Sequence, residues 1–311
     1  MKNWLKVLVI VFIVAVAGVY IFIPRKIIVS KTILINCTRG GVERFLSAET
    51  NWERWWPSKG SANNDNNFTY KNRSYHIEQK LYNGVQIELQ DNETKMTSKL
   101  HVVSLPNSST AVEWVCEIDS SFNPIKKISD YQLGKKIQND FTDILQSAKL
   151  FLEKEENVYG FSISQTSTTD TTLISTKSVF RGKPSTADIY NLIGTLKKYI
   201  SQEGGKQTNH PLLNITALDS GRFQTMVAIP VNKPVKGNIA IRPKRMVPGK
   251  FLVSEIKGGE FAIDNAIKQM NLYVDDYSRS LVALPFQVMI TDRQAETDTS
   301  KWVTQIYYPI Y

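Results

Sequence analysis

Apolar side chains dominate the first 26 residues, and no charged residue occurs between Val7 and Ile23. As an α-helix rising 1.5 Å per residue, this run covers about 25 Å of a hydrocarbon core that is about 30 Å thick. Trp4 and Leu5 lengthen the run to about 30 Å if the Lys6 ammonium reaches back to the lipid headgroups. The pattern therefore predicts one membrane-spanning helix followed by a water-soluble body.

A cleaved signal peptide is the alternative, because Ala15-Val16-Ala17 has the small-x-small pattern of a cleavage site. Cleavage there would leave the apolar stub Gly18–Ile23 at the new terminus, where polar residues are usual. We therefore favour an uncleaved anchor. Basic residues flank both ends of the helix almost equally, which leaves the side of the membrane open, with a slight preference for the cytoplasm.

The next part of the chain, up to residue 156, alternates between strand and helix patterns. Lys31–Thr38 alternates apolar and polar residues and predicts a strand, and Val42–Trp56 predicts a short helical stretch that Pro57 ends. A polar loop, Ser58–Asn67, follows. Five segments rich in β-branched and aromatic residues then predict an antiparallel meander: Phe68–Tyr70, Ser74–Tyr82, Val85–Gln90, Lys95–Ser104 and Thr110–Ile118.

A long helix closes this part of the chain. From Gly134 to Leu152, apolar residues recur at helical spacing and form one stripe. The order is thus strand, short helices, meander and long helix, with Asn51-Trp52-Glu53-Arg54-Trp55-Trp56-Pro57 at the end of the short helices. This order and this cluster resemble the START-like superfamily of polyketide cyclase and lipid-transport proteins.

The resemblance implies a helix-grip fold, in which a curved sheet wraps the long helix and leaves a cavity for a hydrophobic ligand. Trp52 and Trp55 are then candidate ligand-binding residues. The alternative is that both indoles plug the open end of the sheet as core.

The second half of the chain repeats a pattern. Phe223–Val231 matches Trp302–Ile310 in its aromatic, Thr, branched and Pro positions, and an amphipathic helix precedes each segment. One helix begins at Ser185 with a capping-box spacing to Asp188. The repeat predicts a duplicated βαββ unit with both helices on one face of a shared antiparallel sheet.

Residues 157–311, with the turn Gly258-Gly259-Glu260-Phe261 and the closing segment from Trp302, look like a GyrI-like domain, the effector-binding domain of bacterial transcription activators. The resemblance implies a cleft between the repeats that binds hydrophobic, often cationic, small molecules, and some members of this family hydrolyse reactive compounds. The predicted chain is an α+β protein with three parts: an N-terminal transmembrane helix in residues 1–26, a START-like domain in 27–156 and a GyrI-like domain in 157–311.

One position departs from the family pattern. Members commonly carry a Glu two residues before the first Tyr of the closing segment, and here that position is Gln305. An amide cannot neutralise a cation or act as a general base at neutral pH, which disfavours the usual cation site and hydrolysis. The remaining ligand-binding candidates are aromatic: Phe261, Tyr273, Trp302, Tyr307 and Tyr308. The last two are adjacent in a strand and must face opposite sides of the sheet.

Composition narrows the function further. The net charge is +9, but the basic residues are scattered and no nucleic-acid-binding motif accompanies them. Three widely separated histidines predict no metal site, and no cofactor-binding motif occurs. Cys37 and Cys116 predict two buried thiols, or one bridge in an oxidising compartment.

We therefore predict a membrane-tethered, non-enzymatic protein that binds a hydrophobic or aromatic small molecule, without cofactor or nucleic acid. The alternatives are a hydrolase that uses Tyr307 or Tyr308 with Glu255 or Glu260, and a regulator that sequesters a transcriptional effector. The oligomeric state is left open.

Overall fold

A computed structural model describes residues 2–58, 67–92, 94–169, 171–246 and 248–311. Most of the predicted polar loop Ser58–Asn67 lies outside these residues. The chain divides into two compact units, Met1–Lys154 and Glu155–Tyr311, which we describe separately. The predicted α+β class with an N-terminal apolar helix is confirmed.

The first helix, α1, spans Lys2–Phe22. Its apolar stretch, Trp4–Phe22, has 19 residues, none of them buried by the protein. It is long and apolar enough to cross a membrane, and a signal sequence would have the same properties.

The described part of the first unit contains a six-stranded antiparallel sheet in the order β1-β6-β5-β4-β3-β2. Its strands are β1 (Lys26–Ile35), β2 (Phe68–Tyr70), β3 (Arg73–Leu81), β4 (Gly84–Asp91), β5 (Thr94–Leu105) and β6 (Ser109–Asp119). The predicted helical stretch Val42–Trp56 is divided into α2 (Arg39–Leu46) and a 3-10 helix (Glu49–Arg54).

The long helix, α3, spans Pro124–Leu152 and begins ten residues before the predicted start at Gly134. The Asn123 side chain caps it by accepting hydrogen bonds from the N–H groups of Ile125 and Lys126, at 3.0 and 3.3 Å. The early turns were missed because their apolar residues are exposed, so the buried stripe that indicates a helix starts only later.

Aromatic rings fill the interior between the sheet and α3. Trp114 stacks on Phe141 with ring centroids 4.1 Å apart, and Tyr75 packs edge-on against Trp114. Beneath them lies a buried ion pair, in which Arg73 Nε donates to Asp140 Oδ2 at 2.5 Å and the Tyr75 hydroxyl donates to the same oxygen at 3.1 Å. Burial raises the pKa of the nearby Cys116 thiol to about 11.

The second unit begins with a short helix, α4 (Glu155–Tyr159). Its described strands form one antiparallel sheet in the order β11-β8-β10-β9-β13-β14-β12-β7. The strands are β7 (Ser164–Thr168), β8 (Thr171–Arg181), β9 (Leu212–Ala217), β10 (Arg222–Pro230), β11 (Ile241–Met246), β12 (Gly249–Lys257), β13 (Phe286–Met289) and β14 (Val303–Ile310). The helices are α5 (Thr186–Gln202) and α6 (Glu260–Asp276).

The order shows the duplication. The units β8-α5-β9-β10 and β12-α6-β13-β14 meet where β9 pairs with β13 in the middle of the sheet. The strand before each unit pairs with the other unit: β7 joins β12, and β11 joins β8. This exchange binds the two repeats into one continuous sheet.

The two faces of this sheet differ. On one face, Ile174, Leu213, Val227 and Ile229 pack against α5 in a buried core, and on the same face the Tyr308 hydroxyl donates to Ile267 O of α6 at 3.2 Å. Both helices therefore cover one face, as the amphipathic patterns predicted. Alternate residues must point to the other face, which neither helix covers.

The buried ion pair in the first unit gives a stability prediction. Asp140→Ala removes the nearer of the two carboxylates that pair with the buried Arg73 guanidinium and leaves only Asp91 Oδ1, 3.4 Å from Arg73 Nη1. We expect a loss of about 3 kcal/mol in the free energy of unfolding. Chemical denaturation of the detergent-solubilised full chain, followed by tryptophan fluorescence, measures this loss. The double variant Arg73→Met/Asp140→Leu serves as control and should recover most of the loss. A single-variant loss below about 1 kcal/mol would contradict the prediction.

Candidate ligand-binding site

An apolar cleft of about 570 Å³ lies on the open face of the C-terminal sheet. Its floor is formed by Leu173 and Ala228 on one side and by Phe251 and Phe286 on the other. The complete lining is Leu173, Leu212, Leu213, Asn214, Met226, Ala228, Lys244, Arg245, Met246, Pro248, Gly249, Lys250, Phe251, Val282, Ala283, Leu284, Phe286 and Pro309. We call this volume the main cleft.

Strand alternation explains the apolar floor. Leu173, Leu212 and Ala228 form a small buried cluster, and each stands next in sequence to a residue of the helix-side core, namely Ile174, Leu213 and Val227. Each strand thus carries apolar residues on both faces. Ala228 lies beside Leu212 in the sheet, and its small side chain leaves space above the floor.

A second compartment of about 400 Å³ shares Leu173, Leu212, Met246 and Phe286 with the main cleft. Here the Tyr307 ring lies parallel to that of Phe286, with centroids 5.2 Å apart. The complete lining is Ser167, Thr168, Thr169, Thr171, Leu173, Thr208, Asn209, His210, Leu212, Pro230, Met246, Phe286, Val288, Ile290, Gln305 and Tyr307.

A chain of polar groups borders this compartment. The Tyr307 hydroxyl donates to Gln305 Oε1 at 3.1 Å, and Gln305 Nε2 donates to Glu255 Oε2 at 3.1 Å. Glu255 is the residue opposite Gln305 on the neighbouring strand. Burial raises the pKa of Tyr307 above its ordinary value, which is itself well above physiological pH.

The structure brings together only two of the ligand-binding residues predicted in the second unit. Gln305 and Tyr307 line the second compartment. Tyr308 points the opposite way, is buried, and its hydroxyl donates to Asn271 Oδ1 at 2.8 Å. The predicted opposite orientation of the two tyrosines is therefore observed.

The other predicted aromatic residues line neither the main cleft nor the second compartment. Trp302 is buried, with its indole N–H donating to Glu296 O at 2.9 Å, and Tyr273 is buried on α6, where it stacks on Tyr277. Phe261 is 88% exposed and lines neither compartment. Within the described part of the chain, the five predicted aromatic residues therefore do not line one common site.

Sequence reasoning missed Phe251 and Phe286. Their rings lie 6.0 and 5.2 Å from Tyr307, respectively. Phe251 stands opposite Pro309, two residues from Tyr307, so strand alternation indicates the shared face once the register is known. The sequence itself does not show that register.

In the first unit, Trp52 and Trp55 are almost fully buried, and their indole N–H groups donate to Leu46 O and Phe45 O at 3.0 and 3.2 Å. Trp52 also stacks on Trp56 at 5.1 Å. A ligand-binding role for Trp52 or Trp55 stays a prediction, and it requires this aromatic cluster to open.

No protein-family model and no curated protein sequence matches this chain. Solved structures with similar folds include the C-terminal domain of EcmrR, with 15% identity, a TM-score of 0.43, and coverage of 49% of this chain and 98% of that domain. SAV2435 bound to tetraphenylphosphonium has 14% identity, a TM-score of 0.33, and coverage of 48% and 94%. A START superfamily protein from Mycobacterium smegmatis has 16% identity, a TM-score of 0.29, and coverage of 40% and 97%.

These neighbours are consistent with the predicted GyrI-like and START-like folds. At these low identities and TM-scores, the similarity assigns no function. The proposed function rests on the residues and geometry of this chain.

The burial of Tyr308 predicts a pH effect on stability. Burial raises the pKa of Tyr308 from 10.0 to about 12, so its stabilising contribution is complete below pH 10, where the unfolded tyrosine is also neutral. Between pH 10 and 12 only the unfolded state ionises, and the contribution falls by roughly 2 to 3 kcal/mol.

Denaturant unfolding at pH 9, 10, 11 and 12 should show a shallower decline for Tyr308→Phe than for the wild type. Tyr82→Phe is the matched control, because Tyr82 is 97% exposed and its removal should leave the pH profile unchanged. Equal slopes for wild type and Tyr308→Phe would contradict the proposed burial effect.

Proposed function

We propose that this chain is a membrane-tethered binding protein that takes a hydrophobic or aromatic small molecule into the main cleft of its C-terminal sheet. The observation that carries the proposal is an open apolar volume of about 570 Å³ on a sheet face that neither α5 nor α6 covers. Ligand pockets in proteins have this size and this mainly apolar lining.

Apolar burial supplies the binding energy. A ligand that removes about 200 Å² of apolar surface from water gains on the order of 5 kcal/mol before the cost of association. The parallel rings of Phe286 and Tyr307 add a flat surface for an aromatic ligand.

The tether supports the same function. If α1 remains uncleaved, it holds the soluble units beside a bilayer, and apolar small molecules concentrate in that phase. This membrane anchoring is part of the proposal, and it makes no assignment of the side of the membrane.

The main cleft gives a direct binding test. In the full chain in nanodiscs, with empty nanodiscs as blank, we expect saturable binding of the neutral fluorophore N-phenyl-1-naphthylamine. Ala228→Trp places an indole in the cleft and should weaken this binding at least about tenfold, because the ring occupies the space that the probe needs. Fluorescence titration measures the change.

Thr195→Trp is the control, because Thr195 is exposed on α5, which packs on the other face of the sheet. It should leave the Kd within about twofold of the wild type. Absence of saturable binding to the wild type, or equal binding by Ala228→Trp, would overturn the proposal.

A hydrolase is the second candidate, and one observation favours it: Tyr307 connects through Gln305 to the Glu255 carboxylate. The other predicted groups fit less well, since Tyr308 lies on the helix side and Glu260 lies 3.6 Å from Lys183. The intervening amide also keeps Glu255 from taking the Tyr307 proton directly.

The two candidates are separable by rate. If hydrolysis of an activated ester used Tyr307, then Tyr307→Phe should lower kcat about 100-fold or more. For the binding protein that we propose, we expect no turnover above that of empty nanodiscs in the wild type or in Tyr307→Phe.

A further inference from the structure

A basic compartment of about 240 Å³ adjoins the main cleft and shares Met226 and Lys244 with it. Its charged lining residues are Lys177, Arg242 and Lys244, all exposed to solvent. The remaining lining residues are Ser175, Thr176, Ile239 and Ala240. We call this volume the basic annex.

Strand register places the three cations on the open face. Lys177 stands opposite Met226, and Lys244 stands opposite Leu173, and both of these partners line the main cleft. Arg242 stands opposite Ser175. Arg242 is two residues from Lys244 on β11, and Ser175 is two residues from both Leu173 and Lys177 on β8. The cations therefore belong to the same face as the apolar floor.

No carboxylate lines the main cleft or the basic annex among the described residues. Within that part of the chain, none of the three cations forms a salt bridge. The Lys244 Nζ lies 3.1 Å from the Met226 sulfur, but a thioether is a weak acceptor and carries no charge. The three positive charges thus line one small volume and have no carboxylate partner within the described residues.

We propose that the ligand is an acidic amphiphile, whose apolar body lies in the main cleft and whose carboxylate, sulfate or phosphate group binds Lys177, Arg242 and Lys244. This proposal rests on the proposed binding function. An anionic group makes charge-assisted hydrogen bonds with these donors and relieves their mutual repulsion. The Gln305 amide is neutral and places no negative charge in the second compartment. Glu255 does not line this compartment and only accepts a hydrogen bond from Gln305.

Three probes of equal chain length test the sign of the charge: octanoate, octanol and octylammonium at pH 7. Each competes with N-phenyl-1-naphthylamine for the full chain in phosphatidylcholine nanodiscs. We expect octanoate to displace the fluorophore at a concentration at least tenfold below that of octylammonium. In Lys177→Gln/Arg242→Gln this preference should disappear, while octanol competes as it does with the wild type.

The control variant Lys198→Gln/Lys268→Gln removes the same charge from exposed positions on α5 and α6 and should keep the preference. Equal or better competition by octylammonium overturns the acidic-ligand proposal and leaves the binding function standing. If the fluorophore itself fails to bind, the proposed function fails as well.

Nanodiscs that include anionic phosphatidylglycerol distinguish the source of the acidic group. Weaker competition by octanoate in these discs indicates a bilayer lipid as ligand, and unchanged competition indicates a free amphiphile. Both outcomes support the acidic headgroup.

A separate feature of the first unit lies where α1 ends. The Tyr20 hydroxyl, in the last turn of α1, donates to Phe122 O at 2.5 Å, and the Arg25 guanidinium lies 4.7 Å from the centre of the Phe122 ring. Lys127 Nζ donates to Pro24 O at 3.2 Å. These contacts hold the start of α3 beside the last turn of α1.

Large apolar side chains are exposed at this point. Phe122 is 71% exposed and Ile125 is 80% exposed, and Ile128 on the next turn is also exposed. Lys126 follows Ile125 in sequence, and Lys26 follows Arg25, whose guanidinium lies over the Phe122 ring; both lysines are solvent-exposed. Apolar side chains bordered by cations are typical of segments that lie in a membrane interface.

We infer that residues 122–128, which lead into α3 and form its first turn, make a second membrane contact that inserts Phe122 and Ile125 into the bilayer interface beside α1. The apolar stretch of α1 covers about 28 Å, so the last turn that contacts Phe122 reaches the edge of the hydrocarbon core. This inference rests on the proposed membrane anchoring of α1.

Single cysteines labelled with an environment-sensitive nitrobenzoxadiazole test the contact in full-chain nanodiscs. Cys37 and Cys116 are buried, which favours selective labelling of introduced thiols. We expect a blue-shifted emission that doxyl-labelled lipid quenches for Ile125→Cys and Phe12→Cys. Tyr82→Cys should emit as in water, since Tyr82 is 97% exposed and lies near Arg39, beyond the far end of β1.

If the label at Ile125→Cys emits as in water while the label at Phe12→Cys emits as in lipid, the second contact is overturned and the membrane anchoring of α1 stands. A water-like emission from Phe12→Cys overturns the anchor and, with it, the contact.

Discussion

The alternation of side chains across extended strands is the constraint on which the C-terminal unit depends. In β8 and β10 it sends Ile174 and Val227 toward α5, and it sends Leu173 and Ala228 to the opposite face. Because both helices pack on one side, neither of them covers the second apolar face. Apolar residues around an open concave volume are typical of a binding site, and here they form the floor of the main cleft.

The second compartment and the basic annex, which adjoin the main cleft, differ in charge. At one end, Tyr307 donates to Gln305, which donates to Glu255. Tyr307 and Gln305 line the second compartment and Glu255 does not, so the compartment is polar but offers a ligand little charge. At the basic annex, Lys177, Arg242 and Lys244 lack carboxylate partners in the described residues. Apolar burial can hold any hydrophobic molecule, whereas the unbalanced cations select among them by sign.

The N-terminal unit uses its interior differently. Stacked and edge-on rings of Trp114, Phe141 and Tyr75 occupy the space between sheet and α3, and the Arg73–Asp140 pair lies beneath them. Close packing of this kind stabilises a domain and leaves little room for a ligand. The exposed groups at the start of α3 belong to the membrane contact that we propose for this unit.

Local sequence patterns were enough to predict the elements that depend on them. The uncharged run of α1, the β-rich meander and the repeated βαββ unit follow from hydrophobic length and period, which are properties of neighbouring residues. Which residues come together could be read only from the folded chain. Gln305 and Tyr307 line the second compartment, while Trp302, Tyr273 and Tyr308 are buried elsewhere. Phe251, Phe286 and the three cations of the annex join across strands far apart in sequence. Their meeting depends on strand order and register, and these are set by long-range packing that a single sequence does not display.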